Sequence, residues 1–149
     1  MEKQFRCDCP ITSAVDIVGD KWTIVIIKQM IIEDRNTFKK LSEGEEAIAT
    51  NILSSRLKML EQMGLLTKEK MPDNKKVNLY ILTEKGLNLL PVIVELVIWS
   101  DGNLREFHSS LMQDERLDYI LNNKEDFIAA MQSRYKEKYW GNKEQAAQS

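Results

Sequence analysis

Residues 48–64 read IATNILSSRLKMLEQMG. Ile52, Leu53, Leu57, Leu60 and Met63 recur at the three-and-four spacing of an apolar stripe, which predicts an amphipathic helix. Its opposite face carries Thr50, Asn51, Ser54, Ser55 and Lys58, where an ordinary surface helix would carry Glu and Lys pairs. Ser, Thr and Asn prefer caps and turns, and inside a helix each costs roughly half a kcal/mol relative to Ala. Short polar side chains let a helix backbone come close to another surface, and their donors and acceptors suit the base edges of the DNA major groove. Gly64 stands where a helix end needs a positive φ, with Leu65 placed to fold back onto Leu60.

Downstream of Gly64 the periodicity changes from helix to strand. Residues 65–71 and 76–82 are extended runs joined by Pro72, Asp73, Asn74 and Lys75, residue types suited to a tight connection. In the second run Val77, Leu79 and Ile81 share one face, and Asn78 and Tyr80 the other. A hairpin with lysines near its tip, directly behind a polar-faced helix, predicts a winged helix, in which the helix reads a groove and the wing rests on the backbone. Arg56, Lys58, Lys68, Lys70, Lys75 and Lys76 form a basic segment against Glu61, Glu69 and Asp73. It reads either as a phosphate-neutralising patch or as a solvated face.

Upstream, residues 12–18 predict a short helix with Ala14, Val15 and Val18 inward, ended by a left-handed Gly19. Asp20 is the expected cap of a second helix, residues 21–32, whose WTIVII core is too apolar for a surface element; Trp22 reads as a core residue. Thr37 is the expected cap of a third helix, followed by a turn holding Glu43, Glu45 and Glu46. Beyond the hairpin, Thr83 is the expected N-cap of another helix, in which Pro91 forces a kink or a restart. Val92, Ile93, Leu96, Val97 and Trp99 present more apolar surface than one small core can cover, which predicts self-association. Residues 104–139 read as two or more amphipathic helices broken near Asn122 and Asn123, and residues 142–149 as a fraying polar tail.

At 149 residues, 43% hydrophobic and 30% charged, the chain fits a globular class. A net charge of −2 argues mildly against nucleic-acid binding when read globally, although the local distribution counts for more. No apolar run approaches the roughly 20 residues of a membrane span. The polar start MEKQFRCDCP lacks a secretory core, so a cytoplasmic location with Cys7 and Cys9 as resting thiols is expected. One histidine, His108, offers no triad, and with Cys7 and Cys9 it supplies too few ligands for zinc. There is no glycine-rich phosphate loop, so neither an enzyme nor a bound cofactor or metal is expected.

The segments CPITSAVDIVGDKWT, ILSSRLKMLEQMGLL and LYILTEKGLNLLPVIVELVIW resemble the HxlR-type transcriptional regulators, winged-helix proteins related in fold to the MarR group. The resemblance runs from about Cys9 to Trp99. It implies a mainly α fold with a small β-hairpin wing and flanking N- and C-terminal dimerisation helices: a homodimer binding double-stranded DNA at an inverted repeat. Residues 1–112 would then hold the DNA-binding domain and its dimerisation helix, and 113–149 a helical extension and tail. Thr50, Asn51, Ser54, Ser55, Arg56, Lys58, Lys75 and Lys76 are the expected DNA contacts. Where such regulators commonly place Ser as the recognition-helix cap this chain has Ala49, so Thr50 is expected to take over capping. Lys39 stands at a position often held by Ser or Asn. Cys9 lies at the family's cysteine position before Pro10 and at a helix N-terminus that favours the thiolate. It reads as a redox or electrophile sensor or as a small packing residue, and the expected switch is thiol modification at Cys9 or a small ligand. The contrasting class is a winged-helix protein-interaction module without specific DNA binding.

Overall fold

In the computed structural model, which describes residues 4–141, the apolar run of the second predicted helix forms the centre of the N-terminal part of the chain. Ile26, Ile27, Met30 and Ile31 of α2 (Thr23–Ile32) are at most 1% exposed. A helix buried on this scale must satisfy its polar residues internally. Asp20 therefore receives the backbone N–H of Trp22 and Thr23 at 2.8 and 2.9 Å, together with the Thr23 hydroxyl. Helical backbone begins at Thr23 rather than Lys21, which leaves Asp20 capping from outside the helix. Trp22 is half-buried.

The preceding helix, α1 (Pro10–Val18), buries none of its residues completely. Ala14 and Val15, expected to point inward, are exposed, while Ile17 and Val18 are half-buried. The expected left-handed end is also corrected. Gly19 has φ −79°, and glycine suits it for a different reason, since a Cβ there would lie 2.6 Å from Val15 Cγ1.

A short α3 (Phe38–Ser42) follows, with the Thr37 hydroxyl accepting the Lys40 N–H at 3.2 Å as expected. Then comes α4 (Thr50–Gln62), burying Leu53, Leu57 and Leu60. No side chain caps its N-terminus, so Thr50 does not take the capping role expected of it. Its C-terminus closes as a Schellman motif: Gly64 at φ +78° donates to Glu61 O at 3.1 Å, and Leu65 N–H to Leu60 O at 2.9 Å.

The wing is the antiparallel pair β1 (Leu66–Met71) and β2 (Asn74–Leu82), with Leu66 opposite Leu82 and Lys70 opposite Asn78. The turn is shorter than the sequence suggested. Asn74 and Lys75 already belong to β2, and a register irregularity between Lys70 and Met71 absorbs the difference. Tyr80 N–H donates to Asn36 O at 2.8 Å, which ties the wing to the connector ahead of α3.

The described residues fall into two compact units dividing between Gly86 and Leu87. Thr83 caps α5 (Glu84–Leu87) by accepting the Gly86 N–H at 3.3 Å, and its own hydroxyl donates to Gly64 O at 2.6 Å. The second unit is helical. Here the helix restarts at the proline, as α6 (Leu90–Asn103) with Pro91 in its first turn. It is joined by α7 (Glu115–Asn122), capped by Asp114, and α8 (Lys124–Tyr139) after a break at Asn123. Leu90, Ile93, Val94, Leu117, Ile120 and Tyr135 are buried. Gln132 reaches back to Leu87 O at 3.2 Å, and Lys124 pairs with Glu95 at 2.8 Å. Among the described residues no helix is long and apolar enough to cross a membrane. The expected polar tail, 142–149, lies outside the described residues.

Because an L side chain in the left-handed region costs about 1 to 2 kcal/mol, Gly64→Ala should lower the unfolding free energy by about that amount and Gly64→Asn by less. Urea denaturation followed by circular dichroism reads this directly, and identical midpoints would show that the Schellman turn carries no strain.

Candidate nucleic-acid interface

The polar face of α4 is presented because its other face is held. Thr50, Asn51, Ser54, Ser55 and Lys58 are all exposed, whereas Leu53, Leu57 and Leu60 are 0 to 3% exposed on the opposite side. Burying three leucines contributes roughly 1.5 to 3 kcal/mol each. That is ample against the propensity cost of the serines and threonine facing outward.

Two polar anchors fix where this helix starts and how it is rotated. The first lies in the turn between α3 and α4, where Ala47 adopts φ +54°, an uncommon conformation for a residue with a Cβ. Beside it, the Glu46 carboxylate accepts from the buried Gln29 amide at 2.5 Å and from the Lys28 ammonium. Burial alone would raise the Glu46 carboxyl. The hydrogen bonds from Lys28, the backbone and Gln29, with the Lys28 charge, outweigh it and hold the group below its ordinary range. Lys28 also binds Glu33 at 2.7 Å, and of the three turn carboxylates Glu46 alone is stitched to α2, Glu43 and Glu45 being exposed.

The second anchor is Asp20. Besides its two backbone bonds it pairs with Arg56 at 3.4 Å. The Arg56 Nε is buried and makes no hydrogen bond, so its contact with Asp20 is an ion pair. Arg56 is thus half-buried on the α2 side of α4, away from the exposed polar face that carries the other expected contacts. Burial pushes the Asp20 carboxyl up, but the Thr23 hydroxyl, the N–H groups of Trp22 and Thr23 and the Arg56 charge together pull it below the usual carboxylate value.

On the wing, Lys75 and Lys76 are exposed at the start of β2, and Lys68 and Lys70 are exposed on β1. Between α3 and the wing lies a cleft of about 750 Å³ lined in part by Lys39, Lys40 and Lys76. Lys40 was not singled out in the sequence, and Lys39 only as a departure from the family pattern. The adjacent Lys39–Lys40 pair at the head of a helix was the available signal, but nothing in the spacing indicated that α3 would face the wing.

Cys9 is the exposed N-cap residue of α1. The Thr12 backbone N–H, the Thr12 hydroxyl and the Ile11 N–H lower its thiol pKa. Arg6, close in sequence, pairs instead with Asp16 at 2.6 Å. Cys7 is also exposed. Among the described residues no group of His, Cys, Asp and Glu converges on a potential metal site.

A buried central helix, a short helix, an anchored polar-faced helix and a hairpin tied back by Tyr80 define a winged helix-turn-helix protein. Residues 17–108 match the family model described as HxlR-like helix-turn-helix, and the chain belongs to that family of non-enzymatic, DNA-binding transcriptional regulators. Its sequence is 33% identical over 94 residues to the HTH-type transcriptional regulator YodB of Bacillus subtilis, covering 62% of this chain and 83% of YodB. The fold is similar to the reduced form of YodB from B. subtilis, with a TM-score of 0.54 and 32% identity over 65% of this chain and 95% of that one. YodB has also been solved quinone-bound, and that structure matches with a TM-score of 0.53 and 32% identity, covering 63% of this chain and 99% of that one. The redox regulator HypR in its oxidised form matches with a TM-score of 0.56 and 26% identity, over 64% of this chain and 97% of that one. The chain is a transcriptional regulator of HxlR type.

The depressed Asp20 carboxyl has a definite pH signature. Its contribution to stability is fully present above the unfolded-state value, near pH 4, and is lost as the pH falls through the lower folded value. Asp20→Ala should therefore cost about 1 kcal/mol at neutral pH, as for loss of a helix cap, and the gap from wild type should close in acid. A constant gap across a pH series of thermal unfolding curves would contradict this account.

Proposed function

We propose that the protein is a homodimer that reads an inverted-repeat operator through the exposed face of α4 and is switched by modification of Cys9. The observation that carries the DNA reading is the uncapped, small-residue face of α4 standing exposed opposite its buried leucines, beside a lysine-bearing wing. Asn51 and Ser54 make base-edge contacts, Thr50, Ser55 and Lys58 flank them, and Lys75 and Lys76 bind phosphate from the wing. Arg56 acts through Asp20 to set the rotation of α4. Self-association is supported by uncovered apolar side chains on each unit: Ile11 and Val15 on α1, 76% and 48% exposed, and Val92, Leu96 and Trp99 on α6, 43% to 57% exposed. Residues 1–112 hold the DNA-binding and dimerising parts, and 113–149 extend them. A two-fold dimer places its recognition helices about one helical turn apart.

Thiol switching is supported by the exposure and lowered pKa of Cys9, and by its relatives' solved states, YodB bound to quinone and HypR oxidised. The Cys9 thiolate adds to a quinone ring, or forms a disulfide with a partner-subunit thiol as an azo oxidant such as diamide is reduced. A bridge between Cys7 and Cys9 of one chain is disfavoured by the geometry of so short a loop.

Gel shifts on the chain's own upstream DNA test the reading. Asn51→Ala should reduce discrimination between operator and random sequence by about 1 to 3 kcal/mol. Lys75→Ala with Lys76→Ala should weaken binding to all sequences and flatten the salt dependence by about one unit per lost phosphate contact. Equal losses on specific and random DNA for Asn51→Ala would reduce the α4 face to solvated surface and favour the protein-interaction module. Sedimentation of the full chain as a monomer at micromolar concentration would remove the inverted repeat.

For the switch, Cys9→Ser should bind DNA as the reduced protein does and ignore diamide or quinone, while Cys7→Ser keeps a response. Release of DNA by oxidant in Cys9→Ser, or with Cys9 unmodified by mass spectrometry, would reject it in favour of a non-covalent ligand.

A further inference from the structure

The cleft between α3 and the wing has a composition that DNA contact alone does not explain. At about 750 Å³ it falls within the range of roughly 300 to 1,000 Å³ typical of small-molecule sites. Phe38, Val77 and Tyr80, all half-buried, give it apolar walls, and Lys39, Lys40 and Lys76, all exposed, supply three positive charges against the single carboxylate of Glu43. One bond ties its two sides together, and two more hold the α3 side. Tyr80 N–H reaches Asn36 O at 2.8 Å, the Thr37 hydroxyl accepts from Lys40 N–H at 3.2 Å, and Arg35 donates to Lys40 O at 2.7 Å. The cleft is therefore a preformed feature of one unit and needs no ordering of loops to exist.

A phosphodiester strand running past the wing would use the lysines but has no need of aromatic and branched aliphatic walls. A ligand that uses both halves carries a flat apolar body and an anionic end. We propose that this cleft binds a small aromatic carboxylate of one or two rings, its ring between Phe38, Val77 and Tyr80 and its carboxylate on Lys39 and Lys76. Because Lys76 is also assigned to the DNA backbone, ligand and DNA compete for it, and each weakens the other's binding by the same factor. The competition rests on the DNA reading above; the site does not.

The full-length protein is titrated with 2-naphthoate in the absence of DNA, followed by calorimetry and amide chemical shifts. Saturable binding is expected, with shifts concentrated at residues 37–43 and 71–80. Lys39→Gln and Lys76→Gln should each weaken it roughly tenfold, as for loss of a charge-assisted contact. The neutral isostere 2-naphthamide and inorganic phosphate should each bind at least about tenfold more weakly than naphthoate on the same grounds. Naphthamide binding as well as naphthoate would overturn the role of the lysines, and phosphate binding as well would overturn the apolar walls. No saturable binding, or shifts centred elsewhere, would overturn the site itself. In a second arm, saturating naphthoate should weaken the gel shift. Ligand binding with unchanged DNA affinity overturns the competition, whereas a protein that never shifts DNA overturns the functional reading and leaves the first arm to decide the cleft.

Discussion

The burial of α2 is the constraint on which the rest of the N-terminal unit depends. A ten-residue helix with four large side chains almost wholly removed from water gains several kcal/mol of hydrophobic stabilisation, against which the polar groups taken inside with it must be answered; of the buried Gln29 amide, Nε2 is bonded and Oε1 is not. The answers come from the elements it organises. Asp20 satisfies the first N–H groups of α2 and pairs with Arg56 of α4, and Glu46 of the α3–α4 turn binds both Lys28 and Gln29. The same bonds that make the core tolerable thus set the position of the helix offered to DNA. Both anchors also carry strain or charge that would be unfavourable in isolation: a left-handed Ala47 beside one, a buried guanidinium nitrogen at the other.

The ion pairs of Asp20, Glu33 and Glu46 bind acids and bases in equal number, three of each, so they leave the net charge of the chain unchanged. Asp20 and Glu46 are consumed internally as hydrogen-bond acceptors and counter-ions, and Glu33 is shared between Lys28 and Arg35. Lys28, Arg35 and Arg56 are consumed with them, so the net charge of −2 resides on the remaining groups. On α4 and the wing Lys58, Lys68, Lys70, Lys75 and Lys76 are all exposed and outnumber the exposed Glu61 and Asp73 and the half-buried Glu69, so the local balance is basic. Global charge is a poor guide where charges of one sign cluster on one face.

The second unit solves a different problem. Arg105 holds the irregular segment 104–112 by bonding Asp101 and the carbonyls of Leu111 and Met112, and α8 closes over the helical core with Tyr135 buried and stacked 4.5 Å from Tyr139. The matched family region ends at residue 108, so α7 and α8 lie outside it. They bury Leu117, Ile120 and Tyr135, yet Val92, Leu96 and Trp99 of α6 stay uncovered. These two helices therefore leave an apolar stripe of α6 exposed.

What the sequence determined by itself was periodicity and punctuation. The stripe of α4, the positive-φ Gly64, the caps at Thr37 and Thr83, the restart at Pro91 and the break at Asn123 are short-range features, each decided by the steric or hydrogen-bonding preference of one residue and its near neighbours. The extra residues of the hairpin turn, the conformation of Gly19 and the outward-facing Ala14 and Val15 went the other way. A periodic pattern tells which residues share a face, but only the packed structure decides which faces are covered, and α1 is covered sparingly. Arg56 shows the same limit at the interface. Its place on α4 suggested a DNA contact, and nothing in its spacing indicated the ion pair with Asp20 at 3.4 Å. That pairing joins residues 36 positions apart in the chain, as the cleft joins α3 to the wing, and neither leaves a mark in local spacing. Contacts of this range are decided by how helices pack, which is the part of the free energy that no window of sequence contains.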